Sequence, residues 1–434
     1  MAPFVRLYKF LRIGRYDKSK PVIRLKDRID ERSLIMKPTS ANERIVLLDI
    51  VRGIAILGIL LVNMTFYSSS LQAIQMQIEQ WPGVWDQAVK MLERIFVDGK
   101  FMAMFSFLFG YGMMLFKERA EQKGNRFGRL YARRLLALLV FGLIHGILIW
   151  FGDILVHYAL LGFILLLFHK RRPRTLLIWA IGLLLLLPTV LVATGAPATP
   201  KLSPEMIARA QKMIAHDQLV YGSGTFAEIG KQRFGDWIMS FFNMITFYPQ
   251  ILGLFLLGAY FAKRRVFHDI SAHAGLLRKL CWWAGSFGLI TNIAAVLLPD
   301  QAAFAGAKNV FTLLGVLLGS PLLGLGYIAL VALWFKRSPQ HSPLSLFAPV
   351  GRMAFTNYIL QSVVCTLLFY GYGLGWYGKV GPAVGLLLAL AVFGAQMVWS
   401  RLWFKRFSIG PLEWLWRGFT YWNNPSASKA KSAG

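Results

Sequence analysis

Apolar stretches close to the length of a bilayer crossing recur from residue 46 to residue 404, and few long polar segments separate them. A helix needs about 20 apolar residues to cross the hydrocarbon core. The repetition predicts an all-α, polytopic membrane protein with about ten transmembrane helices. The spans fall at about 46–67, 101–116, 135–151, 154–168, 175–194, 237–261, 280–298, 310–335, 354–372 and 381–404. Only 16% of residues are charged and the mean hydropathy is +0.51, so most of the chain is expected inside the membrane.

The formal charge of +28 can signal a nucleic-acid partner, but the basic residues form no single face or stripe. They gather in short clusters between alternate apolar segments, as the positive-inside effect requires. With a cytoplasmic N-terminus, the loops 117–134, 169–174, 262–279 and 336–353 and the tail from Lys405 face the cytoplasm. They hold clusters such as Arg126, Arg129, Arg133 and Arg134, or Lys170, Arg171, Arg172 and Arg174. The opposite loops, around Gly152, Asp300 and Gly375, are nearly free of Lys and Arg. No nucleic-acid partner is expected. Both termini are expected in the cytoplasm, with membrane lipids as partners.

Four regions are expected: a basic leader at 1–45, membrane halves at 46–236 and 237–404, and an interfacial helix with tail at 405–434. The leader interleaves Arg6, Lys9, Arg12 and Arg15 with Phe4, Leu7, Phe10 and Leu11; it either lies on an anionic surface or forms a cytoplasmic tail. The first apolar run follows it too late for a cleavable signal and should remain as a span. Cys281 and Cys365 both fall in apolar segments and make no disulfide framework. The two longer opposite-side loops, 68–100 and 195–236, carry helix-like runs to Phe96 and from Pro204 to Leu219, and are expected to cap a cavity.

Ionisable groups within spans are costly and usually face a bundle interior or a wet cavity. In the first span, LLDIVRGIAILGILLVN, Asp49, Arg52 and Asn63 project at about 0°, −60° and −40° on a helical wheel, hence from one face. Asp49 and Arg52 can pair. The group either locks helix packing through an ion pair and an amide, or lines a site. In IHGILIWFGDILVHY, His145 lies in the third span, Asp153 is placed to cap the fourth helix, and His157 follows Asp153 by four residues. A carboxylate holding an imidazole can raise its basicity, which suits general-base work; an isolated histidine and a helix cap are the plainer reading. No cluster has metal-ligand spacing.

The ninth span carries Thr356, Asn357, Gln361 and Ser362; Asn357 and Gln361 share a face that either lines a cavity or binds a neighbouring helix. GPLEWLWRGFTYW in the tail predicts an interfacial helix with Glu413 and Arg417 spaced to pair. Gly315 and Gly319 form a small-xxx-small pair for close packing. Gly371, Gly373 and Gly375 lack the strand–helix context of a dinucleotide fingerprint.

Five segments together resemble the YeiB family of bacterial inner-membrane proteins: LLDIVRGIAILGILLVN at 47–63, FSFLFGYG at 105–112, GLIHGILIWFGDILVHYALLG at 142–162, GRMAFTNYILQS at 351–362 and GPLEWLWRGFTY at 410–421. That family is similar to transmembrane acyltransferases of the heparan-α-glucosaminide acetyltransferase type and to bacterial membrane O-acyltransferases. The shared element is D-x-x-R-G followed, ten residues after the glycine, by His or Asn; here it is Asp49, Arg52, Gly53 and Asn63. The resemblance implies a bacterial inner-membrane location and an acyl group moved from cytosolic acyl-CoA to an unidentified acceptor at or beyond the membrane. Acyl-CoA is then a co-substrate, with no tightly bound cofactor. The chain departs from the lysosomal pattern in having no His between Asn63 and Lys100. The acid–base role would fall to His145 or to the Asp153–His157 pair, with Asn63 at the reacting carbonyl. Asp49, Arg52, Arg133, Arg134, Asn357 and Gln361 would serve binding, in a cavity between spans one, three and four. The rival reading is a transporter or carrier of a small or lipidic solute.

Overall fold

The computed structural model describes residues 45–197, 202–299, 301, 304–337 and 342–421. The basic leader, and the tail beyond Tyr421, lie outside the described residues. Every predicted span falls on a helix. In chain order the helices are α1 (Val46–Ser68), α2 (Leu71–Gln75), α3 (Val84–Phe96), α4 (Lys100–Gln122), α5 (Phe127–Ile144), α6 (Leu155–Leu166), α7 (Pro173–Ala193), α8 (Pro204–Ser223) and α9 (Phe226–Ile245). They continue as α10 (Tyr248–Lys263), α11 (Ala274–Lys279), α12 (Gly285–Leu297), α13 (Ala305–Leu314), α14 (Ser320–Arg337), α15 (Ala348–Arg352), α16 (Ala354–Phe369), α17 (Pro382–Arg406) and α18 (Pro411–Tyr421).

Among the described residues, seven helices or joined helices are long and apolar enough to cross a membrane, and the pair α9–α10, bent by 64°, makes an eighth if it is one span. Two further apolar helices, α6 and α16, of 12 and 16 residues, complete the ten segments but are shorter than a full crossing. Short π-helical turns at His145–Ile149, Leu280–Ala284 and Gly315–Gly319 interrupt the long helices without ending them in the last two cases.

The long segments 68–100 and 195–236 carry α3 and α8, as their sequence patterns predict. The boundary placed at residue 236 falls inside α9, whose start is fixed earlier by a capping box: Thr225 Oγ1 accepts from the Glu228 N–H while the Glu228 carboxylate accepts from the Thr225 N–H. Polar residues such as Glu228, Lys231 and Arg233 hide this helix from a hydropathy reading.

Lipid chains are as apolar as leucine, so helices in a membrane associate by close fit rather than by hydrophobic segregation. Glycines supply the fit at two crossings. A Cβ on Gly110 of α4 would come within 1.8 Å of the Phe255 carbonyl oxygen, and one on Gly258 of α10 within 1.9 Å of the Phe107 oxygen. At the other crossing a Cβ on Gly53 would meet Phe347 O at 2.1 Å, and one on Gly351 would meet Asp49 O at 1.8 Å. The glycine of D-x-x-R-G thus serves the contact between α1 and the segment leading into α15. Gly319 likewise abuts Thr291, the close packing its spacing predicts.

Candidate active site

At the end of α5 the backbone widens into the π-helical turn His145–Ile149 and then becomes extended at Trp150 (φ −154°). Single π turns are frequent at functional sites, and this one turns the imidazole into the bundle. Asp153 stands two residues before α6. Its Oδ2 accepts the Val156 N–H at 2.8 Å, the helix cap its position predicts, and its Oδ1 lies 2.9 Å from His145 Nδ1. The other ring nitrogen, Nε2, is 2.8 Å from Ser362 Oγ on α16, and that oxygen is 2.7 Å from the Tyr67 hydroxyl on α1.

The direction of these bonds follows from what each group can do. An ionised carboxylate only accepts, so Nδ1 carries the ring proton and Nε2 is the acceptor. Ser362 then donates to Nε2 and accepts from Tyr67. The chain Tyr67–Ser362–His145–Asp153 runs donor to acceptor without a break, and all four residues are buried. Low polarity around such a chain strengthens each bond in it. Chemically it is a hydroxyl poised against a base whose tautomer is fixed by a carboxylate, the arrangement that activates a serine nucleophile.

The other sequence-predicted residues fall into separate groups. Asp49 and Arg52 pair as expected, with Nη1 2.8 Å from Oδ1. Asn63 is half-buried and forms no hydrogen bond with any described residue; Tyr67, one helical turn further, reaches the relay instead. The Asp153–His157 pairing does not form. Because α6 begins at Leu155, Asp153 precedes the helix and the four-residue rule does not reach it. His157 Nδ1 meets the Tyr248 hydroxyl at 2.9 Å, with its ring stacked on Phe241. The relay therefore joins α1 and the α5–α6 hairpin, which belong to spans one, three and four, to α16, the ninth span.

Asn357 and Gln361 line the α16–α17 contact. Asn357 Nδ2 donates to Ser400 Oγ and to Val350 O at 3.1 Å each, and Gln361 Nε2 donates to Gln396 Oε1 at 2.9 Å. At the basic end the Arg134 guanidinium lies 3.5 Å from the Trp416 ring centroid, and Trp416 Nε1 donates to Arg134 O at 2.8 Å. Arg133 is its half-buried neighbour on α5. The charges of Arg52 and Arg417 both act on Arg134, so these cations share one end of the bundle.

The helix predicted in the tail forms as α18, and its Glu413 caps α16. Its Oε1 accepts from the Phe355 and Thr356 N–H groups at 2.9 and 3.1 Å, and its Oε2 from Thr356 Oγ1 at 2.6 Å. Burial pushes this carboxyl up, and the hydrogen bonds from Thr356 and Phe355 oppose the shift. Glu413→Ala strands those donors at the helix that carries Ser362. It should destabilise the protein by about 2–4 kcal/mol, read as a lower unfolding temperature in detergent.

Three residues that sequence reasoning did not assign to the site stand in or beside it. Ser362 is visible in the span-nine stripe, which either lines a cavity or binds a neighbouring helix, but no catalytic role follows from its spacing. Tyr67 shares the helix face of Asn63 at i+4. Arg233 is almost fully buried and donates through Nε to Ile147 O in the π turn at 2.9 Å; the Thr-x-x-Glu spacing of Thr225 and Glu228, which sequence reasoning did not use, is the signal that could have marked the helix holding it.

A Bacillus subtilis protein described as "Uncharacterized protein YxaH" is 42% identical over 414 residues, covering 91% of this chain and 99% of its own. Escherichia coli "Uncharacterized protein YeiB" is 28% identical over 404 residues, 87% of this chain and 96% of its own. The chain belongs to the YeiB-like family. Another relative of this YeiB-like protein, "Uncharacterized 39.9 kDa protein in amylase 3'region" of Bacillus acidopullulyticus, is 29% identical over 390 residues, 89% and 96% of the two chains. Residues 261–423 match the family described as "Protein of unknown function (DUF418)". In YeiB-like terms, Ser362 lies within that segment, and His145, Asp153 and Tyr67 come from before it.

Proposed function

We propose that the protein is a transmembrane acyltransferase whose reacting centre is the Asp153–His145–Ser362 relay. The observation that carries this reading is the buried imidazole held at both nitrogens, by a carboxylate at 2.9 Å and by a serine hydroxyl at 2.8 Å. Ser362 Oγ attacks the thioester carbonyl of an acyl-CoA while its proton passes to His145 Nε2. The C–S bond then breaks, and the departing thiolate takes that proton. An acceptor hydroxyl attacks the acyl-serine, again losing its proton to His145, and Ser362 recovers its own as the ester bond to it breaks. Asp153 keeps the imidazole in the reactive tautomer. Tyr67, bonded to the same oxygen, and the Asn63 amide one turn away on α1 supply donors for the developing oxyanion.

Arg52, Arg134 and Arg417 suit the phosphates of the donor at the basic end. From Arg134 to His145 the helix rises about 16 Å, a distance that a long thioester arm can cover. The positive-inside effect supports a reading in which that end and both termini face the cytoplasm and the relay lies toward the opposite face of a bacterial inner membrane. The test is a trapped intermediate. Purified protein in nanodiscs, given isotopically labelled acetyl-CoA without acceptor, should carry label on the peptide containing Ser362. Equal labelling of wild type and Ser362→Ala overturns the reading.

A further inference from the structure

Arg233 is 1% exposed, and among the described residues no carboxylate oxygen comes within 4.0 Å of its guanidinium nitrogens. Its Nε–H is satisfied by Ile147 O, but Nη1 has no acceptor. Two more buried groups nearby are in the same state, Trp150 Nε1 and the Tyr370 hydroxyl. Trp150 follows the turn that Arg233 holds, with its ring 4.2 Å from Tyr67 and 6.2 Å from His145. Tyr370 packs in the same buried aromatic cluster as Trp150, and the Arg233 charge acts on its phenol.

The acids of this region are already engaged. Asp236 accepts from the Tyr221 hydroxyl at 2.6 Å and from Gln232 at 3.3 Å; Asp217 accepts from Ser70 and from Gln232. A buried cation without a counter-ion is costly, and each orphaned donor adds to that cost. The unsatisfied groups can all donate, and their sum is one positive charge. That is the complement of an oxyanion.

We infer that Arg233, Trp150 Nε1–H and Tyr370 O–H form a binding site for a phosphate or carboxylate group beside His145. The site needs no acyl chemistry and stands whether or not Ser362 is acylated. Its occupant would also bear on the π turn, because the guanidinium that grips the anion grips Ile147 O as well.

The test uses the full chain and two probes, inorganic phosphate and acetate, titrated into detergent-purified protein with chloride at matched ionic strength as control. Unfolding temperature and calorimetric binding are both read. A parallel arm compares nanodiscs of phosphatidylcholine alone with nanodiscs containing phosphatidate. Saturable stabilisation by a free probe assigns a soluble anion, and stabilisation only by phosphatidate assigns a lipid headgroup. Tyr370→Phe, which removes one oxygen, should weaken binding about tenfold without lowering the unliganded unfolding temperature. Arg233→Gln should abolish binding, and His145→Ala should leave it intact. The proposal is overturned if neither free probes nor phosphatidate stabilise beyond their controls, or if Tyr370→Phe and Arg233→Gln bind as wild type does.

Discussion

Ser362→Ala or His145→Ala should each lower acyl transfer by about 10³–10⁴-fold or more, and the double variant should be no worse than the poorer single one. The non-additivity is the stronger half of this expectation. Each residue acts only through the bond between His145 Nε2 and Ser362 Oγ, so once one is gone the other has nothing left to contribute. Asp153→Asn keeps the size of the side chain but frees the imidazole to adopt the wrong tautomer, at a cost of about 10⁴-fold by the same logic. Tyr67→Phe should cost about 10²-fold, the loss of one oxyanion donor. His157→Ala is the control: its ring faces Tyr248 and Phe241, and transfer should persist. The measurement is labelled acyl transfer to membrane extract, with each variant first checked for monodisperse elution. If His157→Ala abolishes transfer and His145→Ala spares it, the relay is not the reacting centre.

Gly110→Ala should disrupt the fold, and Gly112→Ala, in the same F-G-Y-G stretch, should not. A methyl group on Gly110 would lie 1.8 Å from Phe255 O and 2.7 Å from Phe255 Cα, both backbone atoms that no rotamer change can move. Separating α4 from α10 would also undo the reciprocal contact of Gly258 with Phe107. The cost should exceed about 3 kcal/mol, among the largest effects of a single methyl group. Gly112 has nothing within 4 Å of the same position, and alanine there should stabilise the helix by about 0.5–1 kcal/mol. Thermal unfolding in one detergent decides it; equal unfolding temperatures for the two variants would disprove the close crossing.

Sequence made the membrane architecture legible because hydrophobic length is a local property, read one segment at a time. The helix cap at Asp153, the Asp49–Arg52 pair and the helix α18 were legible for the same reason, each depending on residues a few positions apart. What sequence could not give was partner choice across the bundle. Asp153 was matched to His157 by helical periodicity, yet the helix starts two residues too late for that rule, and the carboxylate turns back to His145. Ser362 stands 217 positions from His145 and Tyr67 stands 295 from Ser362, separations over which no spacing rule operates. Asn63 drew attention through a motif, and the tyrosine one turn later made the contact. Arg233 stayed hidden because its neighbours are polar enough to read as loop, although buried charge is the costliest feature of the helix it occupies.

The turn at His145–Ile149 holds one residue more than a regular α-helical turn would. Chain length at that corner therefore matters as much as residue identity. Removing a single residue between Ile144 and Trp150 would let the helix run on at ordinary pitch, and each later side chain would swing by about 100°. Trp150 and Asp153 would then face other neighbours. A relative with the same histidine, aspartate and serine but a gap of one at this point would possess the parts of the relay without assembling it.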